Sequence, residues 1–282
     1  MRRKAVLFIH GIGEQIEGYS DPLWNTLWQN ENPGEVHKYE LFYYTIFEIM
    51  NAKLEIDKLV KKYGLVKVLE KIIRTKNSLA HMEKTLTDVL KDTISHVLYF
   101  LLVRDAKNAI LTKFKEKLME IVAEAMAGGI YPPDLEITVI SHSLGTVVAY
   151  TGLHSIIGEE TLGLQDDLRI KNLFTLASPL ELIREVSYKL HAELSHITDG
   201  IKKPKEWNSV KEMNESNVVN WYSYRHRSDP VASLVPLAGE FLDNEDEPPY
   251  VFNKIHQGNV HAFDNYMLQS RNLTKEKILE EQ

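Results

Sequence analysis

The chain has 282 residues, 44% of them hydrophobic, enough to bury one large core or two modest ones. A formal charge of -7, with no arginine-rich or aromatic-interleaved basic tract, argues against a nucleic-acid surface. The absence of cysteine removes disulfide scaffolds, thiol nucleophiles and thiolate metal sites, and it fits a reducing, cytoplasmic setting.

Ala5 to Ile9 is a short apolar run behind a basic start, too short for a signal-peptide core, and it reads as the first strand. HGIGEQ follows at 10–15, where two glycines flanking Ile12 let the backbone turn tightly and expose its amides. A dinucleotide loop would need a third glycine and no acid, whereas Glu14, Gln15 and Ile16 stand there. DPLWNTLWQN then predicts a short helix with Leu23, Trp24, Leu27 and Trp28 on one face, suited to core or lid packing. Val36 to Tyr44 alternates as a second strand.

From Phe47 the composition turns lysine- and glutamate-rich, with helical periodicity and no proline as far as Met126. Only the last of these helices, with Ile110, Phe114, Leu118, Ile121 and Ala125 on one face, is needed to cross back to the sheet. Residues 47–105 are therefore expected to be a helical insertion within a single domain spanning 1–282: a cap over the site, a dimer surface or a patch for peripheral membrane contact. The longest apolar run in it, Val97 to Val103, cannot span a bilayer.

LEITVISHSLGTVVAYTGL at 135–153 organises the rest. A buried strand leads into SHSLG at 141–145 and on to a helix of small residues. On so sharp a strand-to-helix turn the residues two before and two after the serine must be small, here Ser141 and Gly145. The serine Oγ is then held out over the sheet edge. Ser143 is the candidate nucleophile; the plainer reading is that it only caps the helix. His142 should point the other way and pack under the sheet.

Further strands are expected at Ile170–Leu176, ending in ASPL, at Val218–Tyr224, closed by RHRSDPVA, and at Tyr250–Ile255. Residues 180–216 form a second, lid-like insertion carrying His191 and His196. His261 precedes an amphipathic helix at AFDNYMLQ, and Leu273 to Glu280 reads as a final polar helix. A serine hydroxyl needs a base, and the base a carboxylate to hold its tautomer. Asp229, stiffened by Pro230, is the candidate acid, with Asp243 and Asp246 behind it. For the base His261 competes with His256. A zinc site from His191, His196, His256 and His261 has no tight helical spacing, so neither metal nor cofactor is expected.

Together VLFIHGIG, VISHSLGTVVAY, LFTLASPL, RSDPVASL and NVHAFDNY resemble the serine-esterase and lipase branch of the α/β-hydrolases, near lipase-like proteins that include inositol-deacylase-type enzymes. The resemblance covers roughly residues 4–44 and 130–270. It implies a mostly parallel sheet with helices on both faces, shortened at its N-terminal side by one antiparallel hairpin and leaving the Ala5–Ile9 side more exposed. It implies Ser143, Asp229 and His261 as a triad, the N–H groups of Ile12 and Leu144 as an oxyanion hole, and a carboxylic ester, lipid-like or of medium chain length, as substrate. An acyltransferase or amidase with the same triad is the nearest alternative, and a non-catalytic scaffold acting through its helical insertion is the rival from another class.

Overall fold

The computed structural model describes residues 3–12, 15–29, 31–49, 58, 96–97, 99–100, 103–157, 170–180, 218–226, 229, 250–252 and 261–280. Among the described residues six strands make one sheet: β1 (Arg3–Ile9), β2 (Val36–Leu41), β3 (Leu135–His142), β4 (Ile170–Leu176), β5 (Val218–His226) and β6 (Tyr250–Phe252). Their spatial order is β2-β1-β3-β4-β5-β6, and every neighbouring pair is parallel. Parallel pairing needs crossovers, and the helices lie on both faces. These are α1 (Asp21–Trp28), α2 (Tyr44–Ile49), α3 (Arg104–Ala127), α4 (Leu144–Ile157) and α5 (Phe263–Leu279).

Alternation along the strands sorts the core into two layers. Ala5, Leu7 and Ile9 face a cluster that includes Ile110, Phe114 and Leu118 of α3 and Val147 and Val148 of α4. Val6 and Phe8 face the other cluster, with Leu23, Leu27 and Trp28 of α1 and Tyr266, Met267 and Ile278 of α5. The apolar stripe predicted for α3 is wholly buried. Trp28 is buried and α1 packs on α5, so the tryptophan face is core and not a lid.

Three expectations change. The chain leaves β1 for β2 on one side and returns to β3 on the other, so β1 is flanked on both sides and Ala5–Ile9 is buried. The edge falls to β2. Second, the two C-terminal helices are one 17-residue helix, α5. Its buried line runs through Ser270 and Thr274, hydroxyls that interrupt the apolar pattern without interrupting the helix. Third, β2 stops at Leu41, since α2 starts at Tyr44 and Tyr43 turns inward. The insertions expected at 47–105 and 180–216 fall outside the described residues, apart from short pieces. Of these, Val97, Tyr99 and Phe100 join the core beside α2 and α3. No described helix is long and apolar enough to cross a membrane.

α5 is fixed at its far end. Lys4 Nζ donates to the Leu279 carbonyl at 2.9 Å, Asn172 Nδ2 to the Lys277 carbonyl at 3.1 Å, and Lys171 Nζ to the Glu280 carbonyl. These donors satisfy carbonyls that a helix end leaves open, and two of them are cations at the negative end of its dipole. Seventeen residues rise about 25 Å, the depth of the sheet, which carries the start of α5 to the edge where the strands end.

Candidate active site

The strand order changes direction between β1 and β3, and the C-terminal ends of strands at such a switch are where open parallel sheets collect ligands. Ser143 follows β3 there with φ 49°, a left-handed conformation that costs a residue bearing a Cβ about 1–2 kcal/mol. Its surroundings over-determine it. The Ser143 N–H donates to the Leu176 carbonyl at 3.0 Å, and its carbonyl accepts from Thr146 Oγ1 at 2.7 Å and Thr146 N at 2.9 Å. Thr146 Oγ1 spends its proton on that bond, so it accepts from Ser178 Oγ, 2.9 Å away, and Ser178 Oγ accepts the Leu180 N–H at 3.3 Å. A four-member chain thus runs from the turn after β4 to the elbow.

The small residues of SHSLG serve different neighbours than expected. A Cβ on Gly145 would lie 2.4 Å from the His10 carbonyl oxygen and 2.6 Å from that of Ile9, so it is the end of β1, not Ser141, that requires glycine. Ser141 is buried and donates its hydroxyl to the Phe174 carbonyl at 2.9 Å, so its side chain is accommodated by a bond to β4.

The three residues singled out by the sequence meet. His261 Nε2 lies 2.9 Å from Ser143 Oγ, and His261 Nδ1 lies 2.8 Å from Asp229 Oδ2. A carboxylate only accepts, so Nδ1 carries the proton and Nε2 is left to accept from the serine hydroxyl. Asp229 is fully buried and His261 nearly so. His256, Asp243, Asp246, His191 and His196 fall outside the described residues. Among the described residues no three metal-ligand side chains cluster.

Three neighbours were not visible in the sequence. Tyr266 Oη donates to Asp229 Oδ2 at 2.7 Å. His142 is buried as expected, but against the start of α5: its Nε2 lies 2.8 Å from the His261 carbonyl oxygen, and its ring stacks on Phe263. The third is the pairing of His10 with Tyr43. Their rings stack at 4.2 Å, Tyr43 Oη donates to the His10 carbonyl at 2.6 Å, and the Tyr43 N–H approaches His10 Nε2 at 3.4 Å. With Nε2 accepting, Nδ1 is the donor, and it reaches the Gly11 carbonyl at 2.6 Å. Burial lowers the His10 pKa to about 4 and keeps the ring neutral. The sequence pattern runs β2 on through Tyr43, and nothing local pointed to the role of Tyr43 or of Tyr266.

Gly11 itself rests on Ser143: a Cβ there would lie 2.8 Å from Ser143 Cβ and 3.1 Å from His142 Nδ1. Ile12 is half-buried and packs on the core cluster that contains Leu144. Leu144 opens α4, so its N–H belongs to the first turn, where no intrahelical acceptor exists.

A parallel sheet with helices on both faces, and a Ser143–His261–Asp229 line at its C-terminal edge, make an α/β-hydrolase-like catalytic scaffold. Compared with known proteins, the chain matches no protein-family model, no curated protein and no solved structure.

Proposed function

We propose that the chain is a serine hydrolase of the esterase and lipase-like kind, cleaving carboxylic esters with a medium-length or longer apolar acyl group. The observation that carries this reading is the pair of contacts at 2.9 Å and 2.8 Å linking Ser143 Oγ, His261 and Asp229, begun by a serine at φ 49°. In the first step His261 Nε2 takes the Ser143 proton as Oγ attacks the ester carbonyl. Asp229 holds the Nδ1–H tautomer and stabilises the imidazolium. His261 then gives its proton to the leaving alcohol, and in the second step it activates water to release the acid from Ser143.

Charge on the carbonyl oxygen is assigned to the N–H groups of Ile12 and Leu144. The Gly11–Ile12 peptide is trans, so fixing its carbonyl on His10 turns the Ile12 N–H to the opposite side, and Gly11 already touches Ser143. The Leu144 N–H adds the positive end of α4. Each donor of this kind is worth about 3 kcal/mol in the transition state.

The substrate class rests on the apolar side chains next to the serine, Leu144 and the half-buried Ile12, which pack on one apolar cluster; the insertion at 47–105 is proposed as the cap. Each buried CH₂ is worth ~0.8 kcal/mol, about fourfold in kcat/KM. The test is a series of p-nitrophenyl esters from acetyl to palmitoyl, with wild type and Ser143→Ala. We expect kcat/KM to climb with chain length and S143A to be inactive while folded. A profile falling steeply beyond butyryl overturns the apolar-acyl reading. Turnover by pure S143A overturns the nucleophile, and reaction with amides alone would make the protein an amidase.

A further inference from the structure

His142 ends β3 one residue before Ser143 and is buried. Its Nε2 is 2.8 Å from the His261 carbonyl oxygen, and because a carbonyl only accepts, Nε2 is the protonated nitrogen. The ring stacks on Phe263 at 4.8 Å and 11°, with the His261 ring 5.0 Å away. Nδ1 faces Gly11. Burial first, and the neighbouring His261 second, push its pKa down to about 3; Asp229 and His10 are the other titratable groups that act on it. The imidazole is thus a neutral donor, buried against the His261 main chain.

His261 is consequently gripped at three atoms: its carbonyl oxygen by His142, Nδ1 by Asp229 and Nε2 by Ser143. The first and third grips come from adjacent residues of one strand end. A base arriving 118 positions after the nucleophile is therefore referenced, through its main chain, to the strand that carries the nucleophile. A hydrogen bond at Nδ1 fixes one point of the ring, and rotation about that point would carry Nε2 away from Oγ. A misplacement of about 1 Å costs such a step on the order of 10²-fold.

We propose that His142 is a positioning residue for acyl transfer, holding the His261 main chain so that nucleophile and base are set by the same strand end. The proposal rests on the reading of Ser143 as nucleophile and His261 as base. It is tested on the full chain with a fluorophosphonate, by the second-order rate of labelling and the mass-mapped site, and with the best ester for kcat and KM. His142→Phe keeps the ring and its stack but loses the N–H; His142→Gln restores an N–H near the Nε2 position. We expect wild type to label on Ser143, the Phe variant to label about 10²-fold more slowly with KM little changed, and the Gln variant to recover most of that loss. If wild type does not label on Ser143, the reading of the nucleophile falls and takes the proposal with it. If it does, and the Phe variant labels at the wild-type rate or the Gln variant is no faster than Phe, His142 has no positioning role and the nucleophile stands. Histidine ¹⁵N shifts on wild type need no variant to fold: a neutral His142 protonated at Nε2 is expected, and an Nδ1–H or charged ring at neutral pH overturns the proposal.

Discussion

Asp229 Oδ2 accepts hydrogen bonds from His261 Nδ1 at 2.8 Å and Tyr266 Oη at 2.7 Å, so one buried oxygen orients the His261 ring and is itself held by α5. Asp229→Asn should keep the fold and lower kcat by about 10⁴, because an amide at that oxygen no longer selects the Nδ1–H tautomer. Tyr266→Phe removes the second donor only, and a loss of about tenfold is expected, the worth of a hydrogen bond to a charged group. A loss below tenfold in D229N would hand the orienting role to another carboxylate. Gly11→Ala tests the oxyanion side, since the new methyl would lie 2.8 Å from Ser143 Cβ and Gly11 must shift to relieve that contact. Displacing the Ile12 N–H should lower kcat by about 10²–10³-fold with little change in KM; wild-type kcat in G11A would remove Ile12 from the site. Ser143, Asp229 and His261 are legible in the sequence because each sits beside an element with its own local signature. Tyr266 and His142 are not, because what they do depends on partners 37 and 119 positions away.

At the scale of elements, α5 joins the two ends of the sheet. Lys171 is the pivot of its far end: it is buried, it pairs with Glu136 at 2.7 Å on the neighbouring strand, and it donates to the Glu280 carbonyl. Lys171→Met leaves Glu136 without that cation and the helix end without that donor. The expected cost is about 3 kcal/mol in urea unfolding, as for other broken buried pairs. Phosphonate labelling of the protein that remains folded should be unchanged, since Lys171 lies at the opposite end from Ser143. An unaltered midpoint would mean that Lys4 and Asn172 hold the helix end by themselves. The strands of this sheet could be read from alternation and apolar runs, and β4 matches its expected span, Ile170–Leu176. The continuity of α5 could not, because Ser270 and Thr274 occupy buried positions where the pattern calls for apolar residues. Strand order could not either: periodicity says which residues are buried, not which side of β1 the chain returns to.

Over the whole molecule, two buried histidines couple stability to pH. The pKa of His10 falls from 6.5 to about 4 and that of His142 from 6.5 to about 3, both chiefly through burial. The unfolded chain therefore binds more protons than the folded one below the unfolded pKa. Their contribution is full above that value and is lost as pH falls toward the folded pKa values. Between pH 7 and pH 5 the two rings together remove roughly 3–4 kcal/mol. Melting temperature should drop over that interval, and His142→Gln should make the drop shallower; a flat profile would mean that the rings are solvated.

The contact between His261 and Ser143 closes over 118 positions, and that between His261 and Asp229 over 32. Long-range closures form late in folding, after the local helices and neighbouring strand pairs. A nascent or refolding chain thus carries its serine for some time as an ordinary hydroxyl, with its partner histidine still undocked. On the proposed reading, nucleophilicity is acquired only once His261 has docked beside Ser143. In a refolding experiment, reactivity toward a phosphonate should rise with the slowest structural phase, so that the active serine serves as a clock for the completed fold.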